Sequence, residues 1–280
     1  MLDNLHVRVF IARWCKINPS HWVHQNIQDF FWRLYLNKTD GAFLKLSDPN
    51  SDGAALQTYP LEGGKAYFIP AGVRFDTGVD RVVDHFFVHF DVLGMPELAM
   101  RTLFNSPICL PAPDWMQQTI LNLAGELGTE YDNQNKVDLI VESQIKALLY
   151  QGLTLYLSTL PPDQLAQPLQ MAIAQKPVLP AVNFINTNLA QSLVNPELAR
   201  LCQMNEDYFI HRFKECMGQT PGEYIRERRV KLAAQKLLFT ADSIEQIAAN
   251  TGFGSRFYLT RVFTRSIGLS PAAYRKASRV

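Results

Sequence analysis

The feature that most constrains this chain is an internal repeat in its last third. Phe213, Gly218, Pro221 and Tyr224 recur fifty positions later as Phe263, Gly268, Pro271 and Tyr274. Upstream, Leu198-Ala199 is echoed by Ile247-Ala248 at an offset of forty-nine, so the turn of the second copy is one residue longer. One supersecondary unit therefore occurs twice. Each copy reads as two short helices around a tight turn. In the first, Asn195 is placed to cap a helix with Pro196 at its first position, and Asn205 to cap the next. Phe209 and Phe213, four apart, share its inward face. In the second, Asp242 and Glu245 are placed as a capping box, and Gly252 lets the chain turn with positive φ. Ser255 caps the following helix, where Leu259 and Phe263 repeat the inward pair. Thr220-Pro221-x-Glu223 and Ser270-Pro271 each restart a helix. Glu223 to Phe239 lacks proline and glycine and reads as a long linking helix, with Arg226, Arg228, Arg229 and Lys231 on its outer face.

Two short helices around a tight turn form the helix-turn-helix unit, whose second helix enters the DNA major groove. A plain helical bundle built by duplication is the competing reading. Charge favours the first. The net charge is only +1, but Val178 to Val280 carries 14 Lys and Arg against 8 Asp and Glu, while the remainder has 13 against 18. A basic third on an acidic body suggests a polyanion partner for that third.

From about Val182 to Arg275 the chain resembles the DNA-binding domain of the AraC/XylS transcription regulators. The family pattern GxTPxxYIxxxRxxxAxxLL stands here from Gly218 to Leu238, with one additional residue before Leu237-Leu238. The pattern SIxxIAxxxGFxSxxxFxRxFxxxxGxSPxxYR stands from Ser243 to Arg275, with Leu259 at a usual phenylalanine and Thr264 at a usual lysine. Gln203 occupies a place where glycine is frequent, and His211 one where arginine is frequent. The resemblance implies two recognition helices in successive major grooves, about 34 Å apart, held at that spacing by the linking helix. The outward positions of the first are Glu206, Asp207, Ile210, His211 and Lys214. Those of the second are Arg256, Phe257, Thr260 and Arg261, with Thr264 beyond. Arg256 and Arg261 suit guanine, Asp207 cytosine N4, and Phe257 or Ile210 a thymine methyl. Asn205, Ser255, Arg212 and Lys214 suit phosphates.

Residues up to about Pro113 read as β-rich. Phe30–Leu36, Lys65–Pro70 and Val82–Val92 are aromatic and β-branched runs, separated by turn formers at Asp48–Gly53 and Glu62–Gly64. Gly64-x5-Pro70-x-Gly72 resembles the second motif of cupin barrels, but Phe75 stands where a metal-binding cupin has histidine. This argues for a barrel that holds a ligand without metal or other cofactor. His85, Phe87 and His89 alternate on one strand face, and Arg33 and Tyr35 share a face of an earlier strand. With Trp22 they are the candidate ligand contacts; the family implies a sugar. Trp14 and Trp32 are placed to stack on a ligand or to pack in the core. Residues Asp114 to Leu160 turn helical. Trp115, Ile120, Leu123 and Leu127 precede a break near Tyr131–Asn133, after which a wide apolar stripe runs from Val137 to Leu157.

The expected fold class is α+β multidomain: an N-terminal cupin-like β-barrel with a helical dimerisation segment, and a C-terminal all-α domain with two helix-turn-helix units joined by a long helix. The expected boundaries are 1–160 for ligand binding and dimerisation, 161–177 for a linker after Pro161-Pro162, and 178–280 for DNA binding. The function so read is not enzymatic: a ligand-responsive DNA-binding regulator, an activator of genes for uptake or metabolism of a small molecule. Its partners are double-stranded DNA, a sugar-like effector, a second copy of the chain and RNA polymerase. A cupin enzyme with a helical appendage and a regulator answering to a protein partner are the alternatives. No apolar run approaches the roughly 18 residues of a membrane helix, and the N-terminus does not read as a secretory signal. Cys15, Cys109, Cys202 and Cys216 show no C-x-x-C spacing and are expected to be buried, reduced thiols of a cytoplasmic protein.

Overall fold

The computed structural model describes residues 5–47, 56–95, 97–110, 113–127 and 139–277. The turn read at Asp48–Gly53 and the break near Tyr131–Asn133 lie outside them. The chain separates into two compact units, Met1–Pro168 and Leu169–Val280.

The first unit runs β1 (His6–Ile17), β2 (Trp32–Asn37), β3 (Ala42–Ser47), β4 (Leu56–Leu61), β5 (Ala66–Ile69), β6 (Phe75–Val79), β7 (Val83–Leu93), α1 (Glu97–Leu103), β8 (Ile108–Cys109), α2 (Asp114–Glu126) and α3 (Leu139–Thr159). Its strands form two sheets, β1-β7-β2-β5-β8 and β4-β3-β6. All pairings are antiparallel. The expected barrel is thus corrected: both sheets have open ends, and an isolated Ile27–Phe75 bridge is what extends β6 beyond its sheet. The first strand, 12 residues long, was not among the runs picked out from composition.

Period-2 alternation sorts the larger sheet into two faces. Trp32, Leu34, Leu36, Phe68, Phe86, Val88 and Phe90 pack with Met116, Ile120, Leu123, Ile145, Leu148 and Leu149 of the helices. Gly152 of α3 lies so close to the sheet that a Cβ would sit 2.8 Å from the Phe68 ring. The Val7 N–H donates to the Tyr150 hydroxyl at 3.0 Å, and the Tyr156 hydroxyl donates to the Leu103 carbonyl at 2.7 Å. The opposite face packs Tyr35, Tyr67, Ile69 and Val83 against Leu44, Leu61, Phe75 and Val79 of the smaller sheet. Strand β2 is buried along its whole length because both faces are covered. Trp115 is 44% exposed, and Met116 takes the inward position.

The second unit comprises helices. The α4 helix (Pro162–Ala174) crosses the division, and a 3-10 turn (Lys176–Val178) leads into α5 (Leu179–Thr187). The segment read as a linker is therefore largely helical. Then follow α6 (Asn195–Leu201), α7 (Glu206–Met217), α8 (Pro221–Phe239), α9 (Ile244–Asn250), α10 (Arg256–Ile267) and α11 (Pro271–Ala277). Helices α7 and α10 begin and end fifty residues apart, and α6 and α9 begin and end forty-nine apart. Asn205 and Ser255 accept from the amides of Tyr208 and Tyr258 as expected. The Thr220–Glu223 capping box is present. The second box is Ser243–Gln246 rather than Asp242–Glu245, and Asn195 is the first helical residue, with Val194 as cap.

The repeat has a packing reason. Phe213 meets Tyr224 edge-on at 5.7 Å, and Phe263 meets Tyr274 edge-on at 5.4 Å. Gly218 and Gly268 end α7 and α10 at positive φ, 75° and 84°.

Candidate functional sites

On α10 one stripe away from the core falls at i, i+3, i+4 and i+7: Phe257, Thr260, Arg261 and Thr264, with Leu259, Val262 and Phe263 buried behind it. The fifty-residue offset places Asp207, Ile210, His211 and Lys214 as the matching stripe on α7. These stripes gather most of the residues expected to face DNA. Arg256 and Glu206 stand beside them. The Arg256 guanidinium bonds Glu245 of α9 at 2.7 Å and lies 4.9 Å from the Phe257 ring centroid, and its proton-bonded contact holds the Glu245 carboxyl below the usual carboxylate range. Arg261 lies over Tyr258, 5.3 Å from its centroid. On α7, Glu215 accepts from Arg212 at 2.9 Å and sits 3.0 Å from His211 Nε2. Helix α7 carries two cations, Arg212 and Lys214, against three carboxylates, Glu206, Asp207 and Glu215. Helix α10 carries Arg256, Arg261 and Arg265 and no acid. Positive charge, which attracts a polyanion, is concentrated on α10 rather than α7.

The linking helix differs from expectation at Arg229. This side chain is half-buried, not outward. Its Nε donates to the Leu189 carbonyl at 2.9 Å and its Nη2 to that of Gln191 at 2.7 Å. Arg275 does the same for Leu237 and Asp242, at 3.1 and 2.6 Å. Arg229 satisfies loop carbonyls before α6 and Arg275 satisfies carbonyls at and after the end of α8, so each ties one unit of the repeat to α8. Neither role is legible from local spacing, because the carbonyls lie about forty residues away in the chain.

In the first unit the six expected ligand contacts converge. Antiparallel register sets Arg33 opposite His89, Tyr35 opposite Phe87 and Asn37 opposite His85. Trp22 lies 6.1 Å from Tyr35 and 5.3 Å from His85, ring to ring. Arg33 pairs with Asp29, and its guanidinium lies over the Phe31 and Phe75 rings, 4.4 and 5.2 Å from their centroids. Phe75, at the place of a cupin metal ligand, thus faces a cation. Asp29 and Asn37 were missed; a lone acid before a strand carries no local signal. The Asn37 amide donates to the Leu61 carbonyl at 3.3 Å, so its oxygen accepts from His85 Nδ1 at 2.7 Å. That assigns His85 the tautomer whose Nε2 is an acceptor. Among the described residues no three His, Cys, Asp or Glu side chains converge as a metal site. Of the cysteines, Cys109 is exposed and the others are partly buried, which corrects the expectation of four buried thiols; all are free.

A Helix-turn-helix domain family matches residues 198–277. Three relatives illustrate the similarity. A putative AraC-like transcription regulator of Streptomyces antibioticus is 33% identical over 104 residues, 37% of this chain and 34% of its own length. The regulatory protein SoxS of Salmonella typhimurium is 34% identical over 94 residues, 34% of this chain and 88% of its own length. The chain belongs to the AraC family of transcription regulators. The lactose operon transcription activator of Staphylococcus xylosus is 22% identical over 222 residues, covering 78% of this chain and 77% of that protein. For the first of its curated relatives, the aligned part of this chain spans about a third of their length, 31% to 34%.

This AraC-family chain carries a pH signature in its first unit. Burial lowers the pKa of His85 to about 3, and burial with the nearby Arg33 charge lowers that of His89 well below the ordinary value. Both imidazoles stay neutral in the folded state while the unfolded chain protonates them below about pH 6.5. Stability is therefore intact above pH 6.5 and falls as pH drops, down to about pH 3 for His85. Each histidine contributes a slope of about 1.4 kcal/mol per pH unit. Unfolding followed by tryptophan emission between pH 6.5 and 4.5 is expected to show this slope, and His85→Leu to reduce it by about one histidine's share. An unchanged slope in that variant would exclude a neutral buried imidazole.

Proposed function

We propose that this protein is a ligand-responsive, sequence-specific transcription regulator that activates genes for uptake or metabolism of a small molecule, a sugar. The observation that carries the reading is that one chain joins two matching outward helix stripes to a unit whose inter-sheet space buries Arg33, Tyr35 and His85, with the half-buried His89 opposite Arg33. Such groups are costly to bury unless hydrogen-bonded or used. A hydroxyl donating to His85 Nε2, with Arg33 and Tyr35 as donors and Trp22 and Phe87 as apolar walls, is the contact pattern of a small polar ligand. The likeness to a lactose operon activator supports a sugar. Its 222 aligned residues exceed the length of either compact unit, so the similarity runs into both.

The division of labour follows residues 1–160 for sensing and dimerisation, 161–177 for the connection and 178–280 for DNA. The outward face of α3, Ile140, Ser143, Gln144, Ala147, Gln151 and Thr154, is uncharged and is the surface for a second copy. RNA polymerase is the partner that activation requires, and the cytoplasm is where the DNA is. Among the described residues no helix is long and apolar enough to cross a membrane. Ligand shifts DNA binding because it favours one arrangement of the subunits over another.

Thermal unfolding of the full chain against a panel of sugars tests the sensing half. At a hundredfold excess over Kd the bound form gains about 2.7 kcal/mol, and the melting temperature rises for one sugar and not for others. His85→Leu abolishes that rise. Cooperative melting that no sugar moves, while another metabolite or a protein partner moves it, rejects the sugar and leaves DNA binding standing.

A further inference from the structure

We infer that the second helix-turn-helix unit reads a thymine through its 5-methyl group with Phe257, and that Glu245 and Arg256 position this ring. The inference rests on the reading of α10 as a helix that enters the major groove. Phe257 is 73% exposed, the most exposed of the large apolar side chains described in the C-terminal unit. Leaving a phenyl ring in water forgoes the stabilisation of burying it, and nothing in the packing of α10 requires an aromatic there. It heads the outward stripe, and its counterpart on α7 is Asp207.

A phenyl ring neither donates nor accepts a conventional hydrogen bond. The thymine 5-methyl is the apolar feature of the major-groove base edges, so it is the feature such a ring can discriminate. The ring is not left to rotate alone. The Arg256 guanidinium stacks over one face at 4.9 Å and is itself tied to Glu245 at 2.7 Å. Glu245 stands on α9, a separate helix of the same unit, so the chain Glu245–Arg256–Phe257 anchors the ring to the scaffold. Arg256 is thereby occupied as a prop, and Arg261, one turn further along the stripe, is left to bond guanine O6 and N7. Four helical residues advance about 6 Å, about two base-pair steps at 3.4 Å. The second half-site should thus contain a thymine and a guanine within about two base pairs of each other.

The test begins with duplexes enriched from a random library by the full-length protein at fixed salt. Each conserved thymine of the half-site is replaced in turn by deoxyuridine, which removes the methyl group and keeps the base pair. At one position near a guanine, affinity falls about fourfold, the effect of losing roughly 0.8 kcal/mol for one buried methyl-sized group. Phe257→Ala binds the thymine and uracil duplexes equally, whereas Phe257→Leu retains part of the difference. Glu245→Gln narrows the thymine-to-uracil ratio without lowering the melting temperature, which a merely structural surface pair would not do. If wild type is indifferent to deoxyuridine everywhere, or if Phe257→Ala keeps the full ratio, the assignment of Phe257 is overturned and the DNA-binding reading stands. If the intact protein enriches no sequence, the reading of the recognition helices fails and the inference with it.

Discussion

Replacing Gly252 with alanine is expected to destabilise the C-terminal unit by about 3 kcal/mol or more. Gly252 sits at φ +76°, where a residue with a Cβ is strained by about 1–2 kcal/mol. The added carbon would also lie 2.2 Å from the Leu189 carbonyl oxygen and 2.7 Å from Arg229 Nε. Backbone cannot move aside as a flexible side chain would. Relief comes only by displacing the Leu189 carbonyl, which breaks its bond from Arg229 and adds about 1–3 kcal/mol for a buried group left unsatisfied. The chain itself supplies a comparison. Gln203, forty-nine residues earlier, takes φ +57° in the first turn, yet it is exposed. A side chain is tolerated there because it meets water, not because the backbone differs. The measurement separates the units by their chromophores. All four tryptophans, Trp14, Trp22, Trp32 and Trp115, lie in the first unit. Gly252→Ala should lower the melting of helical circular dichroism from the second unit and leave the tryptophan transition in place. A dichroism melt unchanged within about 1 kcal/mol would mean that the turn is not held as described.

The second large effect is expected in the opposite unit. Arg33→Met should destabilise it by about 3–5 kcal/mol, because removing one member of a buried ion pair leaves the other's charge in a low dielectric. The side chains of Arg33 and Asp29 are only 6% and 12% exposed. Methionine refills most of the apolar volume against Phe31 and Phe75, so the loss reports charge rather than a cavity. The double variant Asp29→Leu with Arg33→Met should recover much of the loss, since replacing a whole buried pair by apolar groups is often neutral or better. Here the tryptophan transition moves, helped by Trp32 next to the substitution, and the dichroism melt of the second unit does not. A single variant costing under about 1 kcal/mol would show that water reaches the pair. A double variant no better than the single would show that Arg33 acts through its other contacts.

The C-terminal half of the fold was legible because its signals are short-range. Caps at Asn205, Thr220 and Ser255, left-handed glycines and inward phenylalanines four apart all act within a turn or two of their own position. Repetition at a fixed offset then doubled each signal. Where the reading slipped, at Asn195 and at the Ser243 box, it slipped by one residue in choosing between neighbouring polar groups. The first unit was less legible. Strand β1 has five partly exposed and three exposed positions among its twelve residues and no clean alternation, so its place beside β7 is decided by pairing across about eighty residues.

The proposed ligand contacts illustrate the same division. Alternation along β7 put His85, Phe87 and His89 on one face, and alternation along β2 put Arg33 and Tyr35 on another, because side-chain direction is a local property of a strand. That these faces meet, with His89 opposite Arg33 and His85 bonded to Asn37, is a matter of register between distant strands. The family and the paired helices α7 and α10 were determined by the sequence alone, since each rests on contacts within one small repeated unit. The open sheets, the inward turn of Arg229, the prop on Phe257 and the shared face of the buried polar groups were decided only in the tertiary structure. Each of these depends on which distant backbone or side chain arrives alongside, and local propensity carries no information about that arrival.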